Sequence, residues 1–179
     1  MRKILLVAAL AALSLTSVAS ASHIPGIPCN DCASHAHWPT IDGLLLKAPS
    51  NQAVKYVGTA RSDELLGHFK SDRLYGKDGS DVLWGSWQGI GQPKDQRDYI
   101  SGGGGNDFIY AGHGHNTVYG GAGNDAISIH YGRGVLDCGP GRDIYHVARS
   151  RKHRYRFRNC EKVEYRTESQ RGGGLRPLP

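Results

Sequence analysis

Residues Gly102 to Ser128 read GGGGNDFIY, AGHGHNTVY and GGAGNDAIS, three nine-residue lines that superimpose glycine on glycine, acid or amide on acid, and branched apolar residue on branched apolar residue. They follow the template G-G-x-G-x-D-x-U-x, in which U is a large aliphatic residue. One glycine-rich nonamer marks no more than a turn. Three in tandem, without a slipped residue, specify a coil of stacked repeats.

The frame extends in both directions. Upstream it gives Gly58 to Leu66 (GTARSDELL), Gly67 to Tyr75 (GHFKSDRLY) and Gly76 to Trp84 (GKDGSDVLW). The line beginning at Gly85 reaches its acid at Asp98 and its apolar residue at Ile100, so an insertion over Trp87 to Gln96 bulges from one turn. Downstream follow Ile129 to Asp137 (IHYGRGVLD) and Cys138 to His146 (CGPGRDIYH). The eighth positions, Leu65, Leu74, Leu83, Ile100, Ile109, Val118, Ile127, Leu136 and Tyr145, form the expected core column.

Backbone chemistry explains the pattern. Six glycine-rich residues turn tightly through positive φ and expose carbonyl oxygens; three residues then form a short strand whose middle side chain points inward. Two lines make one turn of a flattened right-handed coil, so loops two lines apart stack on one edge at ~4.8 Å. The expected fold class is all-β, a parallel β-roll with short N- and C-terminal caps.

From Gly58 to His146 the chain resembles the haemolysin-type, or RTX, calcium-binding repeat. The residues that carry the match are the glycines and acids of GKDGSD, GGGGND, GGAGND and CGPGRD. The resemblance implies Ca²⁺ between loops two lines apart, held by loop carbonyls and by sixth-position aspartates that serve the ions above and below. One edge then carries Asp63, Asp81, Asp107, Asp125 and Asp143. The resemblance implies a first ion on the carbonyls of Gly103, Gly105, Gly120 and Ala122 with Asp107 and Asp125. A second takes Gly121, Gly123, Cys138 and Pro140 with Asp125 and Asp143. A third takes Lys77, Gly79, Gly102 and Gly104 with Asp81 and Asp107. An all-oxygen set on irregular loops suits Ca²⁺ rather than Mg²⁺. Asp63 is a weaker candidate, because Thr59 and Arg61 replace glycines.

The opposite edge departs from the pattern. It stacks Asp72, Asp98, Asn116 and Gly134 on the loops GHFKSD, the insertion, AGHGHN and IHYGRG, which leaves Asp72 and Asp98 as weaker metal candidates. His113, His115 and His130 gather there, either as exposed loop histidines or as a pH-dependent or transition-metal contact. Carboxylates stacked at ~4.8 Å repel by roughly 3 to 4 kcal/mol per neighbouring pair at an effective dielectric near 20. Calcium is therefore expected to be part of the fold, with a strand-poor, loosened roll in its absence.

The remaining segments bound the setting. Met1-Arg2-Lys3, the apolar run Ile4 to Val18 and Ala19-Ser20-Ala21 have the layout of a secretory signal over 1–21. A secreted, extracellular or cell-surface product is expected, with no membrane span in the mature chain. Residues 22–57 are expected to cap the N-terminal end, 58–146 to form the roll and 147–166 to cap the other end, with 167–179 a disordered tail. Arg154 to Arg158 alternates charged and aromatic residues, which places Tyr155 and Phe157 over the last rung. Cysteines of an exported chain should be oxidised, and Cys138 is expected to pair with Cys160. Cys29 and Cys32 either pair locally or, with His23, His35 and His37 nearby, hold a metal. The net charge of +6 comes from the run after His146, whereas 58–146 is mildly acidic.

No constellation of a catalyst emerges. There is no H-E-x-x-H, and Gly85-Ser86-Trp87-Gln88-Gly89 sets serine in the wrong place for G-x-S-x-G. The function expected is calcium binding by a secreted, calcium-folded structural module that is not an enzyme. The alternative is an extracellular glycan or anionic-polymer binding protein that uses the basic tail or Trp84, Trp87, Tyr110 and Tyr119 beside the insertion. Those aromatics otherwise form stacked ladders on the outer sheet faces. Nucleic acid is not the expected partner, and the oligomeric state is left open.

Overall fold

The computed structural model describes residues 38–87 and 91–165. The expected leader 1–21, Cys29 and Cys32 with their neighbouring histidines, and the expected tail 167–179 lie outside the described residues. Short strands alternate between two parallel sheets, giving a β-solenoid of about six turns. The seven-stranded sheet runs, in spatial order, β1 (Leu45–Lys47), β3 (Glu64–Leu66), β5 (Val82–Trp84), β7 (Phe108–Tyr110), β9 (Ala126–Ser128), β11 (Ile144–His146) and β13 (Lys162–Glu164). The six-stranded sheet runs β2 (Lys55–Val57), β4 (Arg73–Asp78), β6 (Arg97–Gly104), β8 (His115–Ala122), β10 (Arg133–Asp137) and β12 (Tyr155–Arg158). Among the described residues no helix is long and apolar enough to cross a membrane.

Register produces the core. Leu46, Leu65, Leu83, Ile109, Ile127, Tyr145 and Val163 stack as one inward column. Tyr56, Leu74, Ile100, Val118, Leu136 and Phe157 stack as the other. Every eighth-position residue named from the sequence is buried here. A one-residue slip in any strand would move its aliphatic side chain to the outside, so the apolar column and the register specify one another.

The coil reaches beyond the glycine motifs at both ends. β1 and β2 lie within the segment expected as the N-terminal cap, yet they pair in register, Leu46 on Leu65 and Tyr56 on Leu74. A rung needs only three residues of correct alternation, whereas the glycine signature belongs to the loops. Leu44 and Leu45, adjacent to the inward Leu46, are exposed. After His146 a short 3-10 helix, Arg149–Arg154, leads into β12 and β13. Tyr155 is buried, and the Phe157 ring lies 4.8 Å from that of Tyr145. The Cys138–Cys160 disulfide ties this last turn to the preceding loop.

The aromatics divide between two outer faces. On the seven-stranded sheet Trp84 stacks on Tyr110 at 4.1 Å, and Trp38 lies over both, 5.8 Å from Tyr110. Trp38 and Ile41 pack on Val82, Phe108, Tyr110, Ala126 and Ile144, so the N-terminal segment covers a sheet face. Tyr119 belongs to the other sheet, 5.6 Å from Tyr99. Trp87 packs against His68 and beneath the Lys47 ammonium. The four aromatics named from the sequence therefore form no common platform; they join separate ladders.

Truncating the central rung tests this core. Ile109→Ala is expected to cost about 3 kcal/mol in urea unfolding with calcium present, and a loss below about 1 kcal/mol would contradict its place in the column.

Candidate metal centre

One edge of the coil carries a ladder of carboxylates. The Asp107 amide N–H donates to Asp125 Oδ1 at 2.9 Å, and the Asp125 N–H donates to Asp143 Oδ1 at 2.9 Å, each across 18 residues. Asp63 N–H reaches Asp81 Oδ1 at 2.7 Å in the same way. Asp81 N–H reaches Asp107 Oδ1 at 2.8 Å across 26 residues, because the insertion lies between. At the far end Asp143 N–H donates to Glu161 Oε2 at 3.1 Å. Each carboxylate thus fastens one turn to the next. Asp63, Asp81, Asp107, Asp125 and Asp143 are fully buried.

The second oxygen distinguishes the rungs. Oδ2 of Asp81, Asp107, Asp125 and Asp143 is buried with no hydrogen-bond partner. Asp63 Oδ2 instead accepts from the Thr59 amide at 2.6 Å. The difference originates in the second residue of each loop. Lys77, Gly103, Gly121 and Gly139 have φ of 85°, 118°, 121° and 96°. Positive φ rotates the peptide so that its N–H no longer meets the aspartate; Thr59, outside that region, keeps its N–H on the carboxylate. Lys77 is held in a conformation that costs a non-glycine residue about 1 to 2 kcal/mol.

Carbonyl oxygens gather beside these orphaned atoms. A Cβ on Gly102 would lie 2.1 Å from Asp107 Oδ2 and 2.3 Å from Gly120 O. A Cβ on Gly76 would lie 2.1 Å from Asp81 Oδ2 and 2.4 Å from Gly102 O, and one on Gly120 would meet Asp125 Oδ2 and Cys138 O. Bare glycine therefore leaves a cradle lined by a carboxylate oxygen and a carbonyl of the following turn. Gly121 and Gly123 pass equally close to the carbonyls of Gly103 and Gly105. Ala122 O and Pro140 O each accept one amide, from Gly105 and Gly123, and keep a second lone pair. Among the described residues no three His, Cys, Asp or Glu side chains converge on one point. A cation here would draw on backbone oxygens as much as on carboxylates, a hard donor set suited to Ca²⁺.

On the opposite edge both carboxylates are satisfied by protein donors, and the buried oxygens without a partner are those of neutral amides, Asn116 Oδ1 and Gln96 Oε1. Asp72 Oδ1 accepts from the Val54 amide and Oδ2 from the His68 amide, at 2.9 and 2.8 Å. Asp98 Oδ1 accepts from the Asp72 amide, and its Oδ2 accepts from the Gln96 side-chain amide at 3.0 Å. Gln96 belongs to the insertion, and its Nε2 also reaches Ser86 Oγ and His113 O. Gln92 Oε1 accepts from the His113 amide at 2.9 Å. The insertion folds its glutamines back onto the edge and supplies donors there. At Asn116 the neutral Nδ2 donates to Gly112 O and Tyr155 Oη. Loop positions that are glycine on the first edge become the buried Ala111 and Ile129. The histidines form no joint site: His113 stacks on Tyr131 at 4.6 Å, whereas His115 lies beside Arg133.

Neither Glu161 nor Gln96 had a place in the carboxylate edges as read from the sequence. Glu161 stands one period after Asp143, as Asp143 stands after Asp125, so the 18-residue spacing carried its signal. Gln96 had none, because an insertion has no frame.

Burial sets the charge state. Desolvation raises the pKa of Asp107 and of Asp98 to about 8, of Asp81 and of Asp125 to about 7, and of Asp143 to about 6, against which the amide donors pull downward. With folded pKa values above the unfolded value, the metal-free fold binds extra protons between about pH 4 and 8, so its stability falls as pH rises through that window. Under chelator the urea midpoint is expected to decline from pH 5 to pH 8.5. A midpoint that rises over the interval would contradict the buried ladder.

Residues 57–88 and 95–127 match the family model of the RTX calcium-binding nonapeptide repeat, in four copies. No curated protein and no solved structure gives a significant match.

Proposed function

We propose that this chain, whose residues 57–88 and 95–127 match the RTX calcium-binding nonapeptide repeat, is an extracellular module whose β-roll folds on calcium. The observation that carries the proposal is the row of buried, unpartnered Oδ2 atoms at Asp81, Asp107, Asp125 and Asp143. Burying ionised carboxylates without a counter-charge is unfavourable, and calcium supplies that charge.

The ligand sets follow the loops. Between Asp107 and Asp125 the carbonyls of Gly103, Gly105, Gly120 and Ala122 complete an oxygen set. Gly121, Gly123, Cys138 and Pro140 serve between Asp125 and Asp143, and Lys77, Gly79, Gly102 and Gly104 between Asp81 and Asp107. Asp63, Asp72 and Asp98 stay outside these sets, because protein donors already occupy both carboxylate oxygens. The role is structural rather than catalytic, since the ladder aspartates bind backbone amides and cations. The Cys138–Cys160 disulfide supports an oxidising, extracellular setting, where affinities of ~10⁻⁴ to 10⁻³ M suffice.

Calorimetric titration of the metal-free protein tests the assignment. Asp107→Asn, which touches two ions, is expected to lower calcium stoichiometry more than Asp143→Asn, while Asp98→Asn leaves it unchanged. Equal loss in Asp98→Asn and Asp107→Asn would refute the division between edges. Lys77→Gly relieves the strained φ and is expected to stabilise the calcium-loaded roll by about 1 kcal/mol, measured as a higher urea midpoint.

A further inference from the structure

The two outer faces of the coil differ in chemistry. That of the seven-stranded sheet has an apolar centre of Val82, Phe108, Tyr110, Ala126 and Ile144, with Trp38 and Ile41 packed across it. On the six-stranded sheet the residues that alternate with the inward column include six basic side chains and three tyrosines, interspersed with Val57, Ser101, Thr117 and Val135. Lys55, Arg73, Arg97, Arg133, Arg156 and Arg158 are all exposed there. Asp137 is the one carboxylate among the described strand residues that alternate outward on this face, and it accepts from Asn159 Nδ2 at 2.8 Å.

Register assembles these charges from distant parts of the chain. Lys55 pairs with Arg73, Arg97 with His115, and His115 with Arg133, while Arg156 and Arg158 pair with Val135 and Asp137. Arg133 Nε lies 2.6 Å from His115 Nε2, so a guanidinium sits against an imidazole. Lys55 and Arg73 are like charges directly opposite on neighbouring strands, a pairing that destabilises a sheet, whereas Arg158 stands opposite Asp137. Across the same face Tyr75, Tyr99 and Tyr119 form a zigzag row, Tyr75 and Tyr119 both level with Ser101 and Tyr99 one outward step away, with centroids 5.3 and 5.6 Å apart.

We propose that this face binds an acidic polysaccharide, laid across the strands along the axis of the coil. Guanidinium groups pair with uronate carboxylates or sulfate esters in forked geometry, and the apolar faces of sugar rings rest on the tyrosines. Six strands at ~4.8 Å spacing give a ladder about 24 Å long. The tyrosine rings are tilted by 37° and 42° against each other in direct contact, which leaves no slot for a nucleobase between them. A second copy of the chain would bring like charge to like charge. The C-terminal residues Arg166, Arg171 and Arg176 carry the same sign and do not complement the face. The choice of an extracellular polymer rests on the setting proposed above, whereas the calcium titration is independent of it.

The probe is a chondroitin sulfate hexasaccharide titrated into calcium-loaded protein, beside neutral cellohexaose and a single-stranded DNA hexamer. The sulfated sugar is expected to bind, and the double variant Arg97→Glu with Arg133→Glu to weaken it at least tenfold. Tyr99→Ser is expected to weaken it several-fold. Raising salt from about 0.05 to 0.3 M, which shortens the Debye length, is expected to weaken it as well. Calcium stoichiometry and circular dichroism are expected to stay unchanged in the variants, which separates loss of the face from loss of the fold. No binding of the sulfated sugar, equal binding of cellohexaose, tighter binding of the DNA, or undiminished affinity in the double variant would each overturn the proposal. So would a dimer in sedimentation that the double variant dissolves.

Discussion

A column of carboxylates sealed from solvent is the constraint from which the rest of the molecule follows. From Asp81 to Asp143 each member spends one oxygen on the amide of the aspartate a turn earlier, as Asp125 does on Asp107. That bond closes the loops onto one another and fixes the rise of the coil. It also places the second oxygen where no protein donor reaches it, at Asp81, Asp107, Asp125 and Asp143. The metal-free chain meets this with protons, because burial raises those carboxyls toward neutral pH. Calcium, as proposed, would answer the same demand with charge and make folding and binding one equilibrium.

The two edges show that one rung geometry admits two solutions. Where the second loop residue takes positive φ, the aspartate keeps an open oxygen and the following turn offers carbonyls. At Thr59 and His68 the amide stays on the aspartate, and the rung closes without a cation. The insertion serves the second solution at Asp98 through the Gln96 amide. A lengthened loop that looks like an interruption of the repeat therefore compensates for the loss of repeat chemistry. Four aspartates of one edge keep an oxygen open to a cation, and both aspartates of the other are closed by protein hydrogen bonds.

Side chains between the core positions give the coil its two unlike faces. Their inward neighbours constrain only the alternation, so the outward residues were free to become an apolar face under Trp38 and Ile41 on one sheet. On the other they became a field of arginine and tyrosine. The ends of the coil follow the same economy of means. β1, β2, β12 and β13 keep the alternation, drop the glycines, and add the Cys138–Cys160 bond where the motif ceases.

The coil, the core column from Leu65 to Tyr145 and the identity of the acidic edge were legible from residue spacing alone. Glycine and aspartate spacing states backbone geometry directly, and a strict period leaves little freedom of register. The sequence also carried the spacing that reaches Glu161, though without a glycine loop to mark it. Only the tertiary structure decided which aspartates keep an open oxygen, because that depends on φ at a single residue and on donors such as Gln96 that have no place in the repeat. It alone decided that β1 and β2 are rungs, since three alternating residues are too short a signal until a neighbouring strand pairs with them. And it alone brought Arg73, Arg97 and Arg133 beside Lys55, Arg156 and Arg158. In the linear chain the basic residues concentrate after His146; on the coil, strands stacked at offsets of 18 residues, 26 across the insertion and 21 at the last turn bring scattered arginines onto one face.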